Sequence, residues 1–245
     1  MNSKVLISGC SYSHIPKGSY GNFLNVVHGY DVINISYSGQ SNDSIIKKIY
    51  DFIKTNKISK SVIICQLTYL HRIGWYHHLN SMWMDYQPEF INKIPIYKND
   101  ELDFKYDETK PKIIEYDDYG NLTQTDLKKL KNMYQTWLSM VYDDDGSFDY
   151  MLYKIDTLET YVEKSDNKII FLYWPEVQNE YQLTELKNRN FLNVDGEYSI
   201  LKWSVKNKMV GRDSHLSMNG CGEFSNILNS ELKKYISNTS IKKII

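Results

Sequence analysis

The sequence has 245 residues, of which 29 are Lys or Arg and 30 are Asp or Glu, so the formal net charge is −1. This balance, without a basic cluster, argues against a nucleic-acid binder that depends on a positively charged face. A hydrophobic fraction of 42% can build a sizeable core, and the length fits a single α/β domain over residues 1–245. No apolar run reaches the length of a membrane helix, so we expect no membrane partner.

The first apolar run begins at residue 4, and no signal-peptide pattern precedes it. Cys10, Cys65 and Cys221 are too few and too widely spaced for a disulfide framework or a Cys-x-x-Cys metal site. These features predict a cytoplasmic protein without a bound metal. The abundant Lys, Asn, Ile and Tyr are typical of an AT-rich genome, such as that of a virus or a low-GC bacterium.

Four short runs of consecutive apolar residues predict strands that are buried on both faces, as in a parallel sheet. They cover residues 4–8, 32–36, 61–67 and 168–174. Apolar residues at helical spacing predict a helix over residues 42–54, which Ser41 or Asn42 can cap, and further helices over 149–164 and 217–236. The order of strand, helix and strand predicts a three-layer α/β sandwich with a mostly parallel sheet of about five strands.

The stretch from about residue 75 to residue 135 departs from this rhythm, because it is rich in Trp, Tyr, Asp and Lys and holds three of the five prolines. We interpret it as an insertion beside the carboxyl edge of the sheet. It could form a lid or a substrate-binding wall, or it could serve only to form oligomers. Trp75 could stack on a sugar ring, or its side chain could belong to the core.

A serine directly follows the first predicted strand, in the motif Gly9-Cys-Ser-Tyr-Ser13. Open parallel sheets bind their ligands outside the carboxyl ends of the strands. A glycine at position 9 allows a tight turn that exposes the Ser11 hydroxyl. Taken alone, the motif favours a turn or capping role for Ser11.

A second reactive pair, Asp213 and His215, precedes the last predicted helix. A carboxylate can accept a hydrogen bond from an imidazole, fix its tautomer and stabilise the imidazolium. Taken alone, this pair could be an ordinary surface Asp and His. Because the loops that carry Ser11 and His215 are expected at the same edge of the sheet, the three residues together indicate a catalytic triad.

The order of these motifs resembles that of the SGNH, or GDSL-like, hydrolases. Their first block is Gly-Asp-Ser after a strand, which Gly9-Cys-Ser11 matches with Cys in place of Asp. Their second block supplies a glycine amide to the oxyanion hole, and Ser38-Gly39-Gln-Ser-Asn42 is similar to it. Their last block holds an Asp and a His before the final helix, as Asp213 and His215 do. The resemblance implies a nucleophilic Ser11, a general base His215 and an orienting Asp213, with no cofactor.

The third block of the family, Gly-x-Asn after the third strand, is replaced here by Gln66-Leu-Thr68. The backbone amides of Ser11 and Gly39 would then share the oxyanion with a side chain of Thr68, Gln66 or Asn42. Loss of one preorganised donor typically costs 10²–10³ in rate. Arg72 follows the third strand and could bind an anionic group of the substrate, or it could form a loop salt bridge.

The resemblance implies an esterase that removes an acyl group, plausibly acetyl, from a carbohydrate or another small ester. One alternative is a weak or inactive member that binds a glycan or a protein, which the missing Asn favours. A second alternative is a phosphodiester hydrolase, which Arg72 alone favours. A metal enzyme is disfavoured, because His71, His77 and His78 lack a motif such as His-Glu-x-x-His.

Overall fold

The computed structural model describes residues 4–14, 19–37, 40–77, 82–86, 97–98, 101–102, 132, 135–137, 139–140, 142–211 and 215–240. The strands in chain order are β1 (Lys4–Ser8), β2 (Asp31–Asn34), β3 (Val62–Leu67), β4 (Ile73–His77), β5 (Met82–Tyr86), β6 (Tyr97–Lys98), β7 (Glu101–Leu102) and β8 (Lys168–Tyr173). The helices described are α1 (Ser11–His14), α2 (Tyr20–Val26), α3 (Asn42–Asn56), α4 (Asp144–Lys164), α5 (Glu180–Lys187), α6 (Ile200–Lys206) and α7 (Met218–Ser240).

The main sheet consists of four parallel strands in the order β2-β1-β3-β8. Every residue of β3 is buried, including the polar Gln66, which agrees with its mostly apolar sequence and its place inside the sheet. The predicted burial on both faces is wrong for β2, because it lies at the edge of the sheet and exposes Asp31 and Asn34. The register places Leu6 of β1 opposite Ile33 of β2 on one side and Ile63 of β3 on the other. The strand that begins the chain is therefore a central one, with a partner on each side.

Helices cover both faces of this sheet. Ile7 lies against α2, so closely that a Cβ on Gly21 would come within 2.7 Å of its Cδ1. The next residue, Ser8, faces the other way and donates a hydrogen bond to the carbonyl of Ile45 in α3 at 3.0 Å. Helix α2 contacts α7, and α3 contacts α4. Since consecutive strand residues point to opposite faces, these pairs form the two outer layers.

The predicted α/β fold with a mostly parallel sheet is confirmed. In place of a regular fifth strand, Phe191 and Ser199 form isolated parallel bridges with Phe171 and Tyr173 of β8. The predicted second strand ends at Asn34 rather than at residue 36. Beyond Asn34 the backbone still forms a hydrogen bond with β1, since the Ile35 amide donates to the Ile7 carbonyl at 2.8 Å.

Helix α3 begins where the sequence predicts, and Ser41 is its cap, with a hydroxyl that accepts from the Ser44 amide at 3.2 Å. Within the predicted insertion, β4 pairs with β5 and β6 with β7, both antiparallel. Most of residues 75–135 lie outside the described residues, and the roles of lid or binding wall stay predictions.

Candidate active site

Four loops meet at the carboxyl edge of the main sheet. Ser11 follows β1, Asn42 follows β2, Thr68 follows β3 and Trp174 follows β8. In the sheet, β2 lies on one side of β1, and the next strand along the chain, β3, lies on the other side. The strand order therefore reverses between β1 and β3. Open α/β sheets bind their ligands in the crevice at such a reversal.

The turn after β1 presents Ser11 at this crevice. A Cβ on Gly9 would lie 2.6 Å from Ser13 Oγ and 2.9 Å from Gln66 Cβ, so the close approach of these side chains requires glycine. Ser11 begins α1 and is half-buried, and its hydroxyl has no hydrogen-bond partner among the residues the structure describes. An exposed hydroxyl that is not committed to the protein is what a nucleophile needs.

Ser13, two residues later, is in a different environment. Its side chain is 1% exposed, and its hydroxyl contacts the hydroxyl of Tyr20 at 2.5 Å and the amide oxygen of Gln66. The amide nitrogen of Gln66 donates to the sulfur of Cys10 at 3.3 Å. This buried network ties α1, α2 and β3 together and leaves Ser11 as the reachable serine of the motif.

The polar groups of this network are kept in their neutral forms. Burial raises the pKa of the Tyr20 hydroxyl far above its usual range, while its hydrogen bond with Ser13 acts in the opposite direction. Burial also raises the pKa of the Cys65 thiol on the neighbouring strand β3. The interior beneath the turn is therefore uncharged at physiological pH.

His215 reaches the crevice from the loop that precedes α7. A bridge between Val210 and Leu216 closes this loop, and the Gly211 amide donates to the His215 carbonyl at 2.6 Å. The imidazole lies against the ring of Tyr12, with ring centroids 4.5 Å apart and a tilt of 39°. Because Tyr12 directly follows Ser11, this contact brings the imidazole to the turn that carries Ser11, although no hydrogen bond joins the imidazole to the Ser11 hydroxyl in the described structure.

Two further aromatic side chains surround Tyr12. Trp174 stacks on it with centroids 3.7 Å apart and planes at 14°, and both rings are buried. Burial, followed by the nearby hydroxyl of Tyr69, raises the pKa of Tyr12 well above its usual range, and the guanidinium of Arg72 partly offsets this. Tyr12 is therefore a neutral phenol at physiological pH.

The end of β3 is held by Asn42. The Thr68 amide donates to Asn42 Oδ1 at 2.7 Å, and Asn42 Nδ2 donates to the Thr68 carbonyl at 3.1 Å and to the sulfur of Met151 at 3.8 Å. The Thr68 hydroxyl accepts from Arg72 Nη1 at 3.0 Å, and the guanidinium lies 5.1 Å from the centroid of the Tyr69 ring. The structure thus brings Asn42, Thr68 and Arg72 together.

Three of the predicted site residues fall outside this description. Gly39 and Asp213 lie outside the described residues. Trp75 lies on β4, but its side chain is outside the described part of the structure. The roles predicted for them, as an oxyanion amide, an orienting carboxylate and a substrate contact, stay predictions.

The described residues contain neither a metal-binding cluster nor a membrane-spanning helix. No group of three or more His, Cys, Asp or Glu side chains is arranged to hold a metal ion in that part of the chain. No helix there combines the length and the apolar character needed to cross a membrane.

No protein-family model and no curated protein matches the sequence. Among solved structures, the fold is similar to that of the psychrotrophic esterase EstA from a Pseudoalteromonas species, which was also solved inhibited by monoethylphosphonate. The TM-score is 0.50 and the identity is 10%, over 96% of this chain and all of that one. At this identity the likeness shows a shared fold.

Two further structures match with lower scores. A protein assigned to the G-D-S-L lipolytic family from Desulfitobacterium hafniense has a TM-score of 0.47 and 11% identity, over 94% of this chain and 99% of that one. TesA has a TM-score of 0.48 and 11% identity, over 95% and 99%. The likeness to EstA confirms the predicted α/β fold with a mostly parallel sheet.

Sequence reasoning did not identify Tyr12 and Trp174 as parts of the site. Both residues lie where the chain leaves the carboxyl edge of the sheet: Tyr12 directly follows Ser11, and Trp174 directly follows β8. That placement is a signal the sequence carries. Their mutual stacking, by contrast, joins residues 162 positions apart and is visible only in the structure.

Proposed function

We propose that this chain is a serine esterase of the SGNH type, with Ser11 as nucleophile, His215 as general base and Asp213 as the residue that orients His215. One observation carries the proposal: the uncommitted hydroxyl of half-buried Ser11 lies at the reversal of strand order, and the imidazole of His215 contacts the adjacent Tyr12. The fold shared with the esterase EstA supports it.

In the proposed reaction, Ser11 Oγ attacks the ester carbonyl while its proton passes to His215. The imidazolium then gives that proton to the leaving alkoxide, which departs as an alcohol and leaves an acyl group on Ser11. A water molecule, activated by His215 in the same way, releases the acid and restores the serine. The carboxylate of Asp213 would stabilise the imidazolium in both steps.

The negative charge on the carbonyl oxygen would be held by the backbone amides of Ser11 and Gly39. Asn42 and Thr68 were predicted as side-chain donors, and the contacts between them favour a different contribution. Both polar groups of Asn42 already bond to the protein, and Thr68 is fully buried. We therefore propose that Asn42 and Thr68 join the start of α3 to the end of β3. In this way they would fix the positions of the two backbone donors.

The proposed substrate is a small ester, plausibly an acetylated carbohydrate. Arg72 would contact an anionic group of the substrate, since it follows β3 at the carboxyl edge of the sheet and its guanidinium bonds to the Thr68 hydroxyl there. Trp75 would provide a stacking surface from β4. The substrate class rests on the resemblance, because a fold does not by itself fix a substrate.

A fluorophosphonate probe tests the nucleophile without knowledge of the substrate, because it forms a stable phosphonyl ester with an activated serine. The modified tryptic peptide is expected to be residues 5–17, which contains Ser8, Ser11 and Ser13, so fragmentation must locate the adduct. We expect it on Ser11. Ser13→Ala serves as the matched control and is expected to be labelled at the same residue. An unlabelled but folded wild-type protein would contradict the esterase proposal and favour the non-catalytic binding module.

A further inference from the structure

Three aromatic rings contact one another in series at the proposed site. Trp174 stacks on Tyr12 at 3.7 Å between centroids, and Tyr12 contacts the imidazole of His215 at 4.5 Å. Trp174 and Tyr12 are 1% and 7% exposed, so neither ring can move without repacking its neighbours. The series runs from the sheet interior to the candidate general base.

The first ring of the series is fixed by the backbone around it. The Trp174 amide donates to the Leu67 carbonyl at the end of β3 at 3.3 Å, and its carbonyl accepts from the Leu201 amide of α6 at 3.1 Å. Tyr12 is held in turn because α1 joins β1 through the turn that requires Gly9. The face offered to His215 is therefore part of the rigid sheet edge.

His215 lies on a loop, and loops position side chains less tightly than a sheet edge does. Backbone bonds fix the base of its loop, at Gly211 and at Val210 with Leu216. The contact with the buried Tyr12 ring bears on the plane of the imidazole ring, because the two rings lie 4.5 Å apart with a tilt of 39°. A general base must meet its proton donor within a narrow range of distance and angle.

We infer that Tyr12 is a positioning residue: its ring, backed by Trp174, supports one face of the His215 imidazole and helps to hold it toward Ser11, in addition to the orienting role proposed for Asp213. This inference rests on the proposed esterase function and deepens it. The raised pKa of Tyr12 keeps the ring uncharged, so its contact with His215 is one of ring surfaces and not of opposite charges. The aromatic ring should therefore matter and the hydroxyl should not.

Two substitutions separate the ring from the hydroxyl. Tyr12→Phe keeps the ring, and we expect kcat for p-nitrophenyl acetate and the rate of Ser11 labelling to stay within about threefold of wild type. Tyr12→Leu keeps apolar bulk but removes the ring, and we expect both rates to fall by about 10- to 100-fold while KM changes by less than about threefold. Equal rates in the two variants would overturn the inference.

A matched control shows what the loss of an aromatic ring costs elsewhere. Tyr161→Leu removes a ring that contacts Tyr50 at 4.9 Å, where α4 meets α3 and far from the carboxyl edge. We expect this variant to lower the melting temperature without lowering kcat. If Tyr161→Leu lowers kcat as much as Tyr12→Leu does, the effect of Tyr12 is one of general stability and the inference fails.

A spectroscopic measurement keeps the inference testable if Tyr12→Leu does not fold. In protein with isotopically labelled His and Tyr, we expect a nuclear Overhauser contact between the rings of Tyr12 and His215, in wild type and in Tyr12→Phe alike. Absence of that contact in both, with Ser11 still labelled by the probe, overturns the inference alone. Failure of the probe to label a folded wild type overturns the proposed function and the inference with it.

Discussion

The side-chain amide of Asn42 forms a two-point hydrogen bond with the backbone of Thr68. The Thr68 amide donates to Asn42 Oδ1 at 2.7 Å, and Asn42 Nδ2 donates to the Thr68 carbonyl at 3.1 Å. The pair joins the first residue of α3 to the residue that follows β3, across 26 positions of sequence. This arrangement resembles the hydrogen bonding of a strand pair, and it holds two loops of the proposed site at a fixed separation.

The first prediction follows from this pair. Asn42→Ala should lower the free energy of unfolding by about 1–3 kcal/mol, because a buried amide and carbonyl lose their partners. We expect kcat to stay within about tenfold of wild type, measured together with the melting temperature. Thr68→Val, which removes the hydroxyl that accepts from Arg72 but keeps the backbone pair, should have the smaller effect on stability. If Asn42→Ala instead lowers kcat by 10²–10³ at an unchanged melting temperature, Asn42 is an oxyanion donor.

The second prediction concerns the two serines of the first motif. Ser11→Ala should abolish turnover of p-nitrophenyl acetate and leave the melting temperature unchanged, because the Ser11 hydroxyl has no hydrogen-bond partner among the described residues. Ser13→Ala should do the reverse. It leaves the Tyr20 hydroxyl and the amide oxygen of Gln66 without the buried Ser13 hydroxyl as a partner and should cost about 1–3 kcal/mol of stability, with turnover retained. Full activity in Ser11→Ala would remove Ser11 from the role of nucleophile.

The third prediction tests the turn that presents Ser11. Gly9→Ala would force a Cβ to within 2.6 Å of Ser13 Oγ and 2.9 Å of Gln66 Cβ, so we expect a loss of about 1–3 kcal/mol in unfolding free energy and a lower kcat. The control is Gly222→Ala in α7, where the added Cβ would meet only the Phe23 ring at 3.7 Å. Alanine is the better helix former by about 1 kcal/mol, so this control should be neutral or stabilising.

The fourth prediction concerns the general base. If a neutral His215 must accept the Ser11 proton, kcat/KM should fall under acidic conditions that protonate the imidazole. Asp213→Asn should lower kcat by roughly 10²–10⁴-fold, because the imidazolium loses its anionic partner. As a control, His28→Asn alters a histidine near Ser225 on α7 and should leave the pH profile unchanged. A flat profile in an active wild type would argue against His215.

The fifth prediction addresses Arg72 and substrate charge. Arg72→Gln keeps a donor that can reach Thr68 but removes the positive charge, so kcat/KM for an ester bearing a carboxylate should fall by about tenfold or more. For the neutral p-nitrophenyl acetate we expect a change of less than about threefold. An equal loss for both esters, together with a lower melting temperature, would make Arg72 a structural brace of the Thr68 loop and leave it no role in substrate selection.

Much of the fold could be predicted because its signals are local. The four strands of the main sheet show as short, mostly apolar runs, and the boundaries of the first, Lys4–Ser8, agree with the prediction. The predicted burial on both faces holds for β1, β3 and β8 but not for the edge strand β2. The glycine at position 9 and the serine two residues later also follow from the sequence alone, because a tight turn after a strand has a local residue requirement. The fifth strand was predicted less well: the segment beside β8 makes only isolated bridges at Phe191 and Ser199.

The sequence by itself determined the order of the elements and the edge of the sheet at which the polar motifs gather. Only the tertiary structure decided which serine is reachable, since Ser13 differs from Ser11 through its contacts with Tyr20 and Gln66. It also decided that Asn42 bonds to Thr68, and that Trp174 supports Tyr12 beneath His215. The physical reason is the same in each case. Local propensity acts within a few residues, whereas these contacts join distant segments and exist only once the sheet and its helices have packed.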